Sequence, residues 1–466
     1  MIEDAPRVLK GWNTMKVPSL VQTKFLILSL VIANALFGII PLFAVPVLNA
    51  YEDSILMIVF IRFTFSSLFI FIIICLQVFL NKMRLKRKRA GNLEFFTTGW
   101  GDIKKYIASR NDGFFCMHRM LYLFILGFFG VTLNVVTYLI GLEELSIILF
   151  LIGTTGGIMI VFSVYSMAKG REKFTLFKGI YIFLMILSLI LTISATQKTV
   201  SIKATGTGVV ALVLNLVALF VLFEFMSRDN YSKKEVVWKK KRKGNYRFMR
   251  TLTKLCLFML FGGMSIIPVA LVSIVLPVPY LKGISFAFFN QLAIFWEIAF
   301  NPNMLTLIFL CTVITFLLLF IPATFWDVDE NLSLAQWNSI LYLVDPIIGS
   351  VVSAIFLEAV DNVLLGVTLI MLSLAILLRY VHEKDSKVLV ILFIDVKFGK
   401  QREILKYLSK FDEIRKYYWT TGIADMMIKA TFGSIKDFYA FIAKIGIKEE
   451  IKIKFDLISF ITKTIN

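Results

Sequence analysis

Apolar positions along the first 380 residues fall into runs of about twenty, parted by short polar links. Each run is long enough to cross a hydrocarbon core of ~30 Å at ~1.5 Å per helical residue. The pattern predicts ten spans, at about 24–48, 55–80, 120–141, 146–168, 176–195, 206–227, 253–277, 303–324, 337–357 and 363–380. Beyond Arg379 the period changes. "VLVILFIDV" (388–396) is a short apolar strand, and "GKQREILKYLSKF" (399–411) sets Ile404, Leu405, Leu408 and Phe411 on one helical face. "EIRKYYWTTG" (413–422) turns at Gly422 into "ADMMIKATF" (424–432). Ser434 then caps a helix ending at Gly446, and "EEIKIKFDLISF" (449–460) alternates as a strand buried on one face. The order βαββαβ predicts a small α+β ferredoxin-like domain behind an all-α polytopic membrane part.

Charge tests the span count, because an error of one span inverts every later loop. Loop 81–119 holds Lys82, Arg84, Lys86, Arg87, Lys88, Arg89, Lys104 and Lys105; loops 169–178 and 228–250 are basic as well. The alternate loops carry only Lys198, Lys203 and Lys282. The positive-inside rule then sets both termini in the cytoplasm of a multi-pass protein of the cell membrane. Loop 325–336 is the exception among the inside loops, with Asp327, Asp329 and Glu330. "YLKGISFAFFNQLAIFWEIAFNP" (280–302) is apolar but interrupted by Lys282, Gln291 and Glu297, and an eleventh span would turn the tail outward. It is read as an interfacial or re-entrant segment.

Composition narrows the function classes. With 58% hydrophobic and 17% charged residues, the chain departs from soluble globular usage of ~25% charged. The net charge of +19 resides in the links between apolar runs, which argues for a lipid surface and against nucleic acid. Cys75, Cys116, Cys256 and Cys311 have no paired spacing, and His118 and His382 stand far apart, so no disulfide framework, metal or other cofactor is expected. Residues 1–23 are mixed polar and do not read as a signal peptide. No nucleotide-binding loop of the Walker type occurs, and no paired carboxylate stands at a membrane boundary, so an enzyme is not expected.

"REKFTLFKGIYIFLMILSLILT" (171–192) and "LEAVDNVLLGVTLIMLSLAILL" (357–378) both run through Glu, a polar link, Gly and an apolar helix containing Leu-Ser-Leu. Glu172 and Glu358 mark the two repeat junctions. Each stretch closes a block of five spans, and because five is odd the second block is inverted. The predicted domains are a segment 1–23, a five-helix repeat 24–195, a second 206–380, and the ferredoxin-like domain 386–466.

This arrangement, with "LVDPIIGSVVSAIFLEAVDNVLLG" (343–366), resembles the EamA-like branch of the drug/metabolite transporter superfamily. Pro346, Gly349, Ser353, Ala354 and Glu358 match the family's ninth span, Arg62 its second, Gly127 and Gly130 its third, and 206–225 its sixth. The expected Pro of the fourth span is missing from 149–167, and the inserts 81–118 and 228–251 are unusual. The resemblance implies alternating-access movement of small metabolites, either amino-acid-like or other small polar solutes, with efflux as the direction.

Ionisable groups within a span cost ~2.5–3.5 kcal/mol on insertion scales and so face a cavity or a partner. Arg62 either holds an anionic group or pairs a helix end or carboxylate. Asp345 precedes Pro346, whose missing N–H exposes carbonyls to a cavity, but Asp345 also reads as a near-interface residue. Glu224 reads as a snorkelling side chain. Asn34, Asn134 and Asn215 either offer amides to a polar solute or bond helix to helix. In the tail, Thr421, Gly422 and Asp425 resemble the turn of the ligand-binding domain of Lrp/AsnC regulators. That resemblance implies a ligand-sensing site and a homodimer or higher oligomer formed through this domain. Ala424 and Met426 depart from the motif, and Gly422 and Asp425 also fit a plain turn. The alternative from another class is a non-transporting membrane sensor whose tail binds a small ligand and signals to a partner.

Overall fold

The computed structural model describes residues 20–87, 100–109, 117–168, 175–197, 206–227, 243–276, 278–325, 344–357, 360–385, 388–397, 399–408, 411, 413–420, 424–432, 435–446 and 451–455. The apolar runs are helical throughout, as hydrocarbon requires when every backbone N–H and C=O must be paired within its own segment.

Among the described residues, the first half holds six helices. They are α1 (Leu20–Gly38, continued after a break at Ile39 as Ile40–Ala50), α2 (Ile55–Arg87), the short α3 (Trp100–Ile107), α4, α5 (Ile147–Ala168) and α6 (Leu176–Gln197). The helix α4 runs Arg119–Gly127, widens into π turns at Phe128–Leu133, and continues as Asn134–Glu144. Among the described residues the second half also holds six. It holds α7 (Gly206–Ser227), α8 (Lys243–Met264, then Ile266–Val275), α9 (Pro279–Gln291, then Phe295–Ala299), α10, α11 (Val344–Phe356) and α12 (Asn362–Asp385). The helix α10 runs Pro302–Ile308, widens at Phe309–Ile314, and continues as Thr315–Phe325.

Among the described residues, eight of these rods are long and apolar enough to cross a membrane: α1, α2, α4, α5, α6, α8, α10 and α12. The apolar stretches of α7 (Gly206–Leu222) and α11 are shorter, and the segment 280–302 is two helices folded against the bundle. Several apolar helices of this kind make a multi-pass membrane protein. Large side chains such as Phe183, Leu76 and Ile370 stand on the outer surface, as they do where the surrounding solvent is lipid rather than water.

Neighbour relations follow a rule. The helix α2 packs on α8, α5 on α11, and α6 on α12. The contact of α4 with α7 is matched by that of α10 with α1, and the contact of α1 with α11 by that of α7 with α5. The small helix α3 lies on α8 and α4; α9 lies on α2 and α10. Adding six to every label, cyclically, leaves these pairs unchanged. The π turns obey the same rule, since they fall in α4 and α10.

The tail has β1 (Val388–Val396), α13 (Gln401–Leu408), β2 (Ile414–Trp419), β3 (Met426–Phe432), α14 (Ile435–Gly446) and β4 (Ile451–Phe455). The sheet order is β2-β3-β1-β4, with every described pairing antiparallel. Alternation buries Val390, Leu392, Ile394, Met426, Ile428 and Ala430 under Ile404, Leu408, Phe438, Phe441 and Ile445 of the two helices. The elements lie within a few residues of those predicted. The strand β2 is shorter, and the predicted flanks of β4 and the Ser434 cap lie outside the described residues.

Candidate functional site

Two glycines set how closely the bundle closes. A Cβ on Gly38 of α1 would stand 2.6 Å from the Asp345 carbonyl oxygen and 3.0 Å from the Gly349 nitrogen of α11. A Cβ on Gly127 of α4 would stand 2.8 Å from the Phe258 carbonyl oxygen of α8. At both places backbone lies on backbone, which only a residue without a side chain permits.

The seam between α1 and α11 is polar. On α11, Asp345, Pro346, Gly349, Ser350 and Ser353 are buried. Their spacing of three and four residues places them on one face. Asn34 lies one turn before Gly38 on α1 and is 1% exposed, with its Nδ2 donating to the Leu30 carbonyl at 2.8 Å. The buried oxygens Asn34 Oδ1, Asp345 Oδ1, Ser350 Oγ and Ser353 Oγ have no hydrogen-bond partner among the described residues.

Arg62 is 3% exposed on α2, and its bonds go to α10. Its Nε donates to Thr312 Oγ1 at 2.6 Å and its Nη2 to the Cys311 carbonyl at 3.2 Å, both inside the π turns. A π turn bonds i to i+5 and leaves carbonyls short of their usual donors. The Thr312 hydroxyl in turn donates to the Leu307 carbonyl at 2.7 Å, and Phe63 lies under the guanidinium at 5.2 Å. The equivalent π turns of α4 bond to α8, where Thr132 Oγ1 donates to the Gly262 carbonyl at 2.7 Å and its hydroxyl also meets that of Ser265.

Asn134 and Asn215, far apart in sequence, come together. Asn215 Nδ2 donates to the Asn134 carbonyl at 2.7 Å and is 2.9 Å from Asn134 Oδ1 and 3.1 Å from Thr137 Oγ1. These amides join α7 to α4 just past its π turns. The cluster was missed from sequence because nothing local relates 134 to 215. The π turns themselves carry a faint signal, since "FFGVT" (128–132) and "FLCTV" (309–313) share Phe, a small residue and Thr.

The two surface helices brace opposite ends of the bundle. Tyr280 of α9 donates to Glu143 at 3.0 Å, Gln291 donates to the Glu52 carbonyl at 2.8 Å, and Tyr51 donates to Glu297 at 3.4 Å. Burial and the Glu143 carboxylate push the Tyr280 phenol well above its usual range. At the other end Tyr106 of α3 is 1% exposed, with the Arg119 and Arg250 guanidinium carbons 5.1 and 5.5 Å from its ring centre. His118 serves as a helix cap, its Nδ1 accepting from the Met120 N–H at 3.3 Å.

In the tail, Asp425 joins two strands. Its Oδ2 accepts from the Val396 N–H at 2.9 Å, and its own N–H donates to Asp395 Oδ1 at 3.3 Å. Thr421 and Gly422, with Glu172 and Glu358, lie outside the described residues, and of Glu224 only its place in α7 is described. Asp425→Ala leaves the buried Val396 N–H without its charged acceptor, a loss of ~1–2 kcal/mol. Hydrogen exchange on the full chain should show the Val396 amide opening about tenfold faster. An unchanged rate would mean that water replaces the carboxylate without cost.

No protein-family model matches the chain, and no curated protein is significantly similar to it.

Proposed function

We propose that this protein is a ten-span transporter of small metabolites, amino-acid-like or other small polar solutes, built as two inverted five-helix repeats and working by alternating access in efflux. The observation that carries the reading is the packing rule, in which exchange of the halves α1–α6 and α7–α12 leaves the helix pairs named above unchanged. With an odd number of crossings in each half, such an exchange inverts one half against the other. The opposite bracing of α3 and α9 supports this, one lying where α4 begins and the other where α2 begins and α4 ends. In the orientation set by loop charge, α3 is cytoplasmic and α9 faces outward in the cell membrane, with both termini in the cytoplasm.

The seam that joins α1 to α11 across the two halves is where buried polar groups lack partners, and the interface between repeats is where transporters of this construction hold their solute. The EamA-like resemblance points the same way. In this reading the tail is a ferredoxin-like domain of the Lrp/AsnC ligand-binding type, and it assembles two or more copies of the protein and senses the solute. Its strand order, with helices on one sheet face, is what that assignment requires.

The test is solute flux in proteoliposomes containing the full chain, with amino acids and other small polar solutes supplied in turn. Saturable flux that disappears in the Gly38→Val variant is the expected result. Absence of flux for every solute, while the full chain still binds one through its tail, would make it a sensor instead.

A further inference from the structure

The partnerless oxygens of the α1–α11 seam share a chemistry. Asp345 is 8% exposed, and its carboxylate makes no hydrogen bond or ion pair among the described residues. Charged side chains that could neutralise it are missing from the helices packed on it: α1 over residues 27–38, its continuation Ile40–Ala50, and α5 carry no Lys, Arg, His, Asp or Glu, and Tyr165 is their one titratable group besides. Lys178 and Arg379, buried on the neighbouring α6 and α12, make no bond to it. Arg62, the obvious intramembrane cation, gives its donors to Thr312 and Cys311. An ionised carboxylate left this way in a dry seam is costly and is retained where a ligand completes it. The remaining groups complement the carboxylate: Asn34 Oδ1 is an acceptor, and the Ser350 and Ser353 hydroxyls have lone pairs to offer. A seam rich in acceptors with one negative charge suits a cation that brings several N–H donors.

We propose that the α1–α11 seam is a recognition site for a protonated primary amine, with Asp345 as counter-charge, Asn34 as acceptor, and Ser350 and Ser353 lining the seam further along α11. The site rests on the transporter reading for its purpose but not for its chemistry. It narrows the solute class to those that present an ammonium group, such as amino acids and amines, and excludes solutes carrying only anionic or neutral groups. The close approach at Gly38 and Gly349 makes the seam the joint that must open to admit the solute.

The experiment uses the full chain in detergent with three probes of one size: n-butylammonium, n-butanol and n-butyrate. Saturating n-butylammonium is expected to raise the thermal midpoint by about 2–4 °C, with no rise from the other two. Asp345→Asn should weaken the amine effect at least ~30-fold in apparent affinity, and Asn34→Val by several-fold. Because Asp345→Asn keeps the side-chain volume and carries no charge to bury, it should fold at least as well as the parent, which separates loss of binding from loss of structure. Asp345→Glu should keep the preference for amine over alcohol. An equal response to butanol and butylammonium, or an unchanged amine response in Asp345→Asn, overturns the proposal. Amine binding without flux of any solute in proteoliposomes would leave the site standing and remove the transport reading. Flux of neutral or anionic solutes without amine binding would do the reverse.

Discussion

Replacing Arg62 with alanine is expected to destabilise the protein by about 3–5 kcal/mol, read as a fall in thermal midpoint of the purified chain in detergent. The estimate has three parts. The Cys311 carbonyl loses the Nη2 donor, worth ~1–3 kcal/mol for a buried group. The side chain leaves a void against Phe63 and the α10 backbone, and large-to-small changes in a core cost ~2–5 kcal/mol. Against these stands the relief of removing a buried charge, which for a well-bonded guanidinium offsets only part of the loss. Arg62→Lys should fall between, because one ammonium cannot take the places of both Nε and Nη2. A double-mutant cycle with Thr312→Val should show coupling of ~1–3 kcal/mol. If Arg62→Lys were as stable as the parent and lost only flux, the guanidinium would be a solute ligand rather than the bond that holds α2 to α10.

That case shows how far the sequence carries. The apolar runs, the basic links and the order of strands in the tail could all be read in advance, because each depends on local hydrophobicity, charge and period. The residues of the candidate site were largely named too. What escaped was their division of labour. Sequence leaves Arg62 open between an anion clamp and a structural bond, and the π turns of α10, which follow from tertiary packing rather than from any local preference, take its donors. Asn134 and Asn215 are readable as solute ligands or as bonds between helices, and their proximity makes them the latter. Asp345 is the opposite case: the sequence allowed a bland position near the interface, whereas the fold buries it without a partner. The symmetry of the two halves was legible only as a likeness between residues 171–192 and 357–378. Its clearer trace, the paired contacts of helices with little likeness in sequence, is in three-dimensional packing alone.

The second large effect concerns Gly38. A methyl group there meets the Asp345 carbonyl at 2.6 Å, and because that oxygen belongs to the helix backbone it cannot rotate away. The helices α1 and α11 must part, and overpacking of this kind costs ~1–3 kcal/mol for one methyl and more for a branched side chain. Gly38→Ala is therefore expected to lower the thermal midpoint and Gly38→Val to lower it further. Gly366→Ala on α12 is the control, since a Cβ there meets nothing within 4 Å. With only the propensity gain of about 1 kcal/mol for replacing a helical glycine, it should be neutral or stabilising. Function should respond more steeply than stability. Parting α1 from α11 shifts Asn34 and Asp345 relative to one another, and misplacement by ~1 Å of groups that must act together costs about 100-fold in rate. Gly127→Ala, which wedges α4 from the Phe258 carbonyl on the other side of the bundle, should lose comparable stability while sparing amine recognition. Equal loss of amine binding in the Gly38 and Gly127 variants would mean that the bundle responds as one body and that the α1–α11 seam has no separate role.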